Sequence, residues 1–273
     1  MLEMFSQPFI LSALLVSIVM GLMLSYLGVH VVGRGIVFVD LALGQISMLG
    51  VAFASFIEQE SFLVSIIFTM IGAFILSLIK IKDKRLKSEA IIGIIYAVAS
   101  AVTVLFLSKA PHGDADISEV LFGSLFTVTN QQIITMSIIF AVIGLFHFIF
   151  RKKIYELTES IEAENARGHS VFDLWNFLFY LSIGLTIVLA VRAGGVIPVF
   201  TFLIVPAVSA IFLTHNKVAL VLIALAVSVL GSFFGVFFSV HFDFPAGSSI
   251  VTMLGFIFFI AAIIRLIRKD YSE

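Results

Sequence analysis

Asp40 is the acidic residue set inside a long apolar run of this 273-residue chain. A carboxylate there is costly unless it meets a cation, a donor or water, so it marks a cavity or a partner by default. At about 100° per residue, Asp40, Gly44 and Ser47 share one helix face, with Gln45 and Met48 on its flank. The stripe offers carboxylate, amide and hydroxyl oxygens, donors that suit a cation. The plainer alternative is that Asp40 pairs with Arg34, about 9 Å back along a helix, or caps a helix end near an interface. A second candidate is the His241–Gly247 stretch, where His241 and Asp243 reach one cation if the chain is extended. Pro198 and Pro206, just past Gly194 and Gly195, are expected to break one span, and broken helices often line transport sites. His147 reads as a satisfied buried residue rather than a ligand.

Other chemistry is excluded. The chain has no Cys, hence no disulfide, thiolate metal site or thiol nucleophile. No Gly-Lys pair occurs, so no phosphate-binding loop binds ATP here. His-Glu-x-x-His and Gly-x-Ser-x-Gly are absent too, so a membrane-embedded enzyme lacks a catalytic set.

The elements that must hold these residues follow from composition. The chain is 61% hydrophobic and 12% charged, with net charge −1 and mean hydropathy +1.19. Soluble domains run near 45–50% apolar and about 25% charged. A soluble globule, a disordered chain, a coiled coil and a nucleic-acid binder are all excluded. The expectation is an all-α, polytopic transmembrane bundle of eight to nine spans, forming a single transmembrane domain over residues 1–273. Apolar runs predict spans at 8–32, 36–57, 61–81, 89–108, 131–150, 173–191, 197–214, 218–240 and 246–266. Ile117–Val128 is too short to cross and reads as one short re-entrant or interfacial helix. The N-terminal run lacks a basic leader and a cleavage site and is read as a retained span.

With sides alternating along these spans, every Lys and Arg except Lys109 and Arg192 falls on one side, which is then cytoplasmic. The C-terminus is expected inside. The opposite side carries Glu3, Glu58, Glu60, Asp114, Asp116, Glu119 and Asp243, a negative vestibule that would concentrate cations. The largest inner segment is Arg151–Phe172. Its residues Glu159 to Arg167 are good helix formers and Gly168 suits a helix stop. It is either a plain surface helix or a docking element for a cytoplasmic partner.

Several stretches, in order, resemble the membrane permease subunits of bacterial ABC importers for zinc, manganese and iron. They are Tyr26–Gly35 running through Phe38–Gln45 to Leu49–Ala54, then Ser88–Ala97, Leu121–Leu125, Glu162–Gly168, Leu203–Ala207 and Asp243–Gly247. The resemblance implies a homodimeric permease of the bacterial cytoplasmic membrane, with a metal path through its helices. It implies two cytoplasmic ATPase subunits, an external metal-binding protein, no permanently bound cofactor and a divalent metal ion as substrate. It assigns the path to Asp40, Gln45 and Ser47, with His241 and Asp243 outside. It assigns ATPase coupling to Glu162, Glu164, Ala166, Arg167 and Gly168. Members often carry an Asp and a His one turn apart in the second span. Aligned on Asp40 the His position is Gly44, and aligned on Leu49–Ala54 it is Gln45. An ion-coupled secondary transporter of a small cation is the alternative, although such carriers usually need more than one titratable group at mid-depth.

Overall fold

The computed structural model describes residues 7–79, 88–109, 125–159 and 173–270. Among them the chain forms ten α-helices and one 3-10 turn. In order these are α1 (Pro8–Gly33), α2 (Val39–Phe56), α3 (Ser61–Leu78), α4 (Ser88–Leu107), the 3-10 turn Leu125–Thr127, α5 (Asn130–Ile149), α6 (Arg151–Glu159), α7 (Leu174–Gly194), α8 (Val196–Leu213), α9 (Lys217–Phe242) and α10 (Ala246–Asp270). Nine of them are long and apolar enough to cross a membrane, and α6 is the exception. These nine helices coincide with the spans read from the apolar runs.

The chain divides into two compact units: residues 1–32, 121–142 and 192–273 in one, 33–120 and 143–191 in the other. In the first, small residues bring backbones together. A Cβ added to Gly28 of α1 would stand 1.7 Å from the Leu203 carbonyl oxygen of α8. One on Gly235 of α9 would stand 2.5 Å from the Ile250 Cα of α10. Lipid tails are as apolar as Leu, so such close packing replaces the hydrophobic drive between helices. The ends are closed as well. Asn216 Oδ1 accepts the Val218 and Ala219 backbone N–H groups at 3.0 and 3.1 Å, capping α9. Arg268 donates to the carbonyl of Leu213, the last residue of α8, at 3.1 Å.

In the second unit α2 packs on α3 and α4. A Cβ on Gly50 would meet the Ser65 Cα at 2.7 Å, and one on Gly72 the Ile46 Cδ1 at 2.7 Å. The hydroxyls of Ser65, Thr69 and Ser77 turn back onto carbonyls of their own helix, satisfying polar groups without water. Apolar residues such as Ile94 and Leu105 of α4 and Ile138 and Leu145 of α5 are exposed, as a bilayer requires.

Three expectations change. First, α8 runs unbroken through Pro198 and Pro206, so neither proline breaks a helix. Pro198 lies in the first turn, where the missing N–H had no partner to lose, and Pro206 gives up one bond within a well-packed helix. The break falls at Gly195, whose φ of 80° only glycine adopts readily. Second, His241 belongs to the last turn of α9 rather than to a loop. Third, the span predicted at 36–57 begins only at Val39, because Gly35, at φ 62°, and a Val39 N–H to Ile36 carbonyl bond of 3.0 Å make a turn. Helix follows α5 at once as α6, and of the helix-forming stretch Glu159 to Arg167, residues 160–167 lie outside the described residues. Of the segment Ile117–Val128, residues 117–124 lie outside the described residues, and Leu125–Thr127 is a 3-10 turn whose Phe126 packs edge-on against Phe9 at 5.9 Å. Glu162, Glu164, Ala166, Arg167 and Gly168 also lie outside the described residues.

Candidate functional site

The first turn of α2 carries the most unusual side chain in the molecule. Phe38 begins the helix without a side-chain cap, so the first N–H groups have no carbonyl partner from the helix itself. Asp40 sits in that turn, 3% exposed, and both its carboxylate oxygens are buried without a hydrogen-bond partner among the described residues. The backbone N–H groups of Leu41 and of Asp40 itself act on the carboxylate. A helix N-terminus favours negative charge, which gives the carboxylate partial support. It does not satisfy it, and an unsatisfied buried carboxylate costs several kcal/mol. One turn on, Gly44 is buried, and Gln45, Ser47 and Met48 are buried beyond it. The stripe read from spacing is thus a buried polar face with an open acceptor at its head.

Pairing with Arg34 does not account for Asp40. The Arg34 guanidinium is turned to α7, where it donates to Asn176 Oδ1. It lies over the Phe179 ring at 4.4 Å and near Tyr180 at 5.8 Å. The Asn176 amide in turn donates to the Ser77 carbonyl at 3.1 Å, in the last turn of α3. Sequence reasoning missed Asn176. The available signal was a lone amide in the first turn of an otherwise oily run.

His241 and Asp243 belong to the other unit and have local duties. Asp243 adopts the left-handed conformation, φ 56°, and its N–H closes α9 onto the Ser239 carbonyl. Asp tolerates that conformation better than most non-glycine residues. Both residues are exposed, and the His241 ring lies parallel to Phe237 at 5.8 Å and edge-on to Phe242 at 4.8 Å. Among the described residues no group of three or more His, Asp or Glu converges to hold a metal ion. His147 is fully buried, with Nε2 3.0 Å from Ser182 Oγ.

The profile of the ABC 3 transport family matches residues 6–265, taking in all nine span-length helices. The chain belongs to the ABC 3 transport family. Among its ABC 3 relatives, the manganese transport system membrane protein MntC of Halalkalibacterium halodurans is 24% identical over 260 residues, covering 95% of this chain and 88% of that protein. The manganese import system permease protein ScaB of Streptococcus gordonii is 25% identical over 254 residues, 93% of this chain and 90% of that one. The fold is similar to that of a chain in the structure of PsaBC from Streptococcus pneumoniae in complex with Fab, with TM-score 0.80 and 24% identity over 95% of this chain and 93% of that one.

Proposed function

We propose that this chain is the membrane permease subunit of an ABC-type importer that carries a divalent transition-metal ion, manganese or zinc, across the bacterial cytoplasmic membrane. The observation that carries the reading is a family match spanning all nine span-length helices, one of which has a buried carboxylate without a side-chain partner at its head. The metal is cargo, not a resident cofactor. Asp40, with Ser47 and Gln45 further along α2, offers oxygen donors to a hard or borderline divalent ion. One chain supplies too few, so a homodimer that brings two α2 helices together completes the path. The chain hydrolyses nothing itself. Two cytoplasmic ATPase subunits drive it, docking on the stretch that holds Glu162, Glu164, Ala166, Arg167 and Gly168. An external metal-binding protein delivers the ion to the acidic outer side, and the C-terminus is cytoplasmic.

The test is co-expression with an ATPase subunit of a metal-ion ABC importer from the same genome. The reading expects a stable complex, purified with two permease and two ATPase copies, whose ATP hydrolysis rises when the metal-loaded binding protein is added. A chain that purifies without any ATPase and moves cations down a proton or sodium gradient would contradict it.

A further inference from the structure

The stretch 160–172 is bounded by α6 and α7, and on each side a residue grips the same short turn before α2. On the α6 side, Ile154 and Leu157 are buried and the hydroxyl of Thr158 donates to the Ile154 carbonyl at 2.9 Å. That leaves the Thr158 methyl against Gly33, where an added Cβ would stand 2.8 Å from Cγ2. On the α7 side, Asn176 accepts from Arg34 and donates to Ser77 at the end of α3. Gly33 and Arg34 are consecutive. After them come Gly35, the Ile36 to Val39 turn bond and, in the next helical turn, Asp40.

The chemistry of the second grip makes it stiff. Arg34 is 7% exposed, with its guanidinium laid on Phe179. A buried cation stripped of a hydrogen-bond partner is strongly penalised, so the guanidinium follows Asn176 when α7 moves. A side-chain amide can both accept from Arg34 and donate to a carbonyl. It therefore ties α7, α3 and the turn before α2 together with one planar group. The grip by Thr158 is a close van der Waals contact, which resists compression but exerts little pull.

We infer that Asn176 and Thr158 are positioning residues that carry movement at the two ends of the 160–172 stretch to the Gly33–Arg34 turn, and through it to Asp40. The inference rests on the importer reading, in which that stretch meets the ATPase. It adds the route from the ATPase side to the metal path. Each residue acts through the turn; neither touches the metal.

The experiment uses the whole transporter, permease with ATPase and binding protein, in proteoliposomes, reading manganese ions taken up per ATP hydrolysed. Asn176→Leu lowers that ratio at least about fivefold, while ATP hydrolysis and complex assembly stay near wild type. Asn176→Asp keeps the acceptor for Arg34 and gives up only the donor to Ser77, so it keeps the wild-type ratio. Thr158→Ser trims only the methyl against Gly33 and keeps the hydroxyl bond to Ile154. It folds even if Asn176→Leu does not, and it lowers the ratio about twofold. A wild-type ratio in Asn176→Leu or in Thr158→Ser, or an equal loss in Asn176→Asp and Asn176→Leu, overturns the inference and leaves the importer reading standing. A wild-type assembly that shows no ATP-dependent uptake overturns both.

Discussion

The α9–α10 hairpin and the head of α2 are built on opposite principles. In the hairpin, Gly231 and Gly235 bring helices within side-chain-free distance, Asn216 caps the start, and Asp243 closes the end in a left-handed turn. No acidic or basic side chain is buried in it among the described residues. At the head of α2, a carboxylate is buried without a side-chain partner, and the helix start has no side-chain cap. The hairpin spends its sequence on stability. The head of α2 keeps a costly group that stability alone would remove, and such groups in membrane helices mark the route of a cation or proton.

If that contrast is sound, substitutions at the two places separate cleanly. The largest effect belongs to Asp40→Asn. Losing even an outer partner of a metal ligand costs about 10–100-fold, so uptake of radiolabelled manganese should fall to background while expression and thermal stability hold or improve. Near-normal uptake in a poorly folding variant would return Asp40 to a structural role. Next is Gly235→Val in the hairpin. A Cβ there would stand 2.5 Å from the Ile250 Cα, and overpacking of this kind costs about 1–3 kcal/mol. It should lower the unfolding temperature in detergent and reduce yield, with uptake per folded molecule unchanged. A smaller loss is expected for Ser182→Ala, which strips His147 Nε2 of its partner at 3.0 Å. That costs about 1 kcal/mol by thermal unfolding, with no change in the metal transported. Smallest is Gly255→Ala in α10, where an added Cβ meets nothing within 4 Å. It should stabilise by roughly 0.5–1 kcal/mol through helix propensity.

What the sequence made legible follows the same division. All nine span-length helices could be read from apolar runs, because a membrane helix must satisfy its backbone internally and advertises itself by length. The polar face of Asp40, Gly44 and Ser47 was legible because helical spacing is local. The ends of elements were harder. Pro198 and Pro206 look like breakers, yet the chain turns at Gly195, where the signal is a backbone angle rather than a residue type. Asp243 reads as plain loop, yet at a positive φ it closes α9 through its backbone N–H. The bond between Arg34 and Asn176 was out of reach, since 142 residues separate them and nothing periodic connects the two.

On the importer reading, ATP rather than an ion gradient drives a divalent metal past Asp40. That reading is tested most directly by loading proteoliposomes of the complete transporter with ATP and following manganese entry with and without a protonophore and a sodium ionophore. The account predicts uptake that needs hydrolysable ATP, survives both ionophores and vanishes in Asp40→Asn. Uptake that persists without ATP and collapses with either ionophore would contradict it.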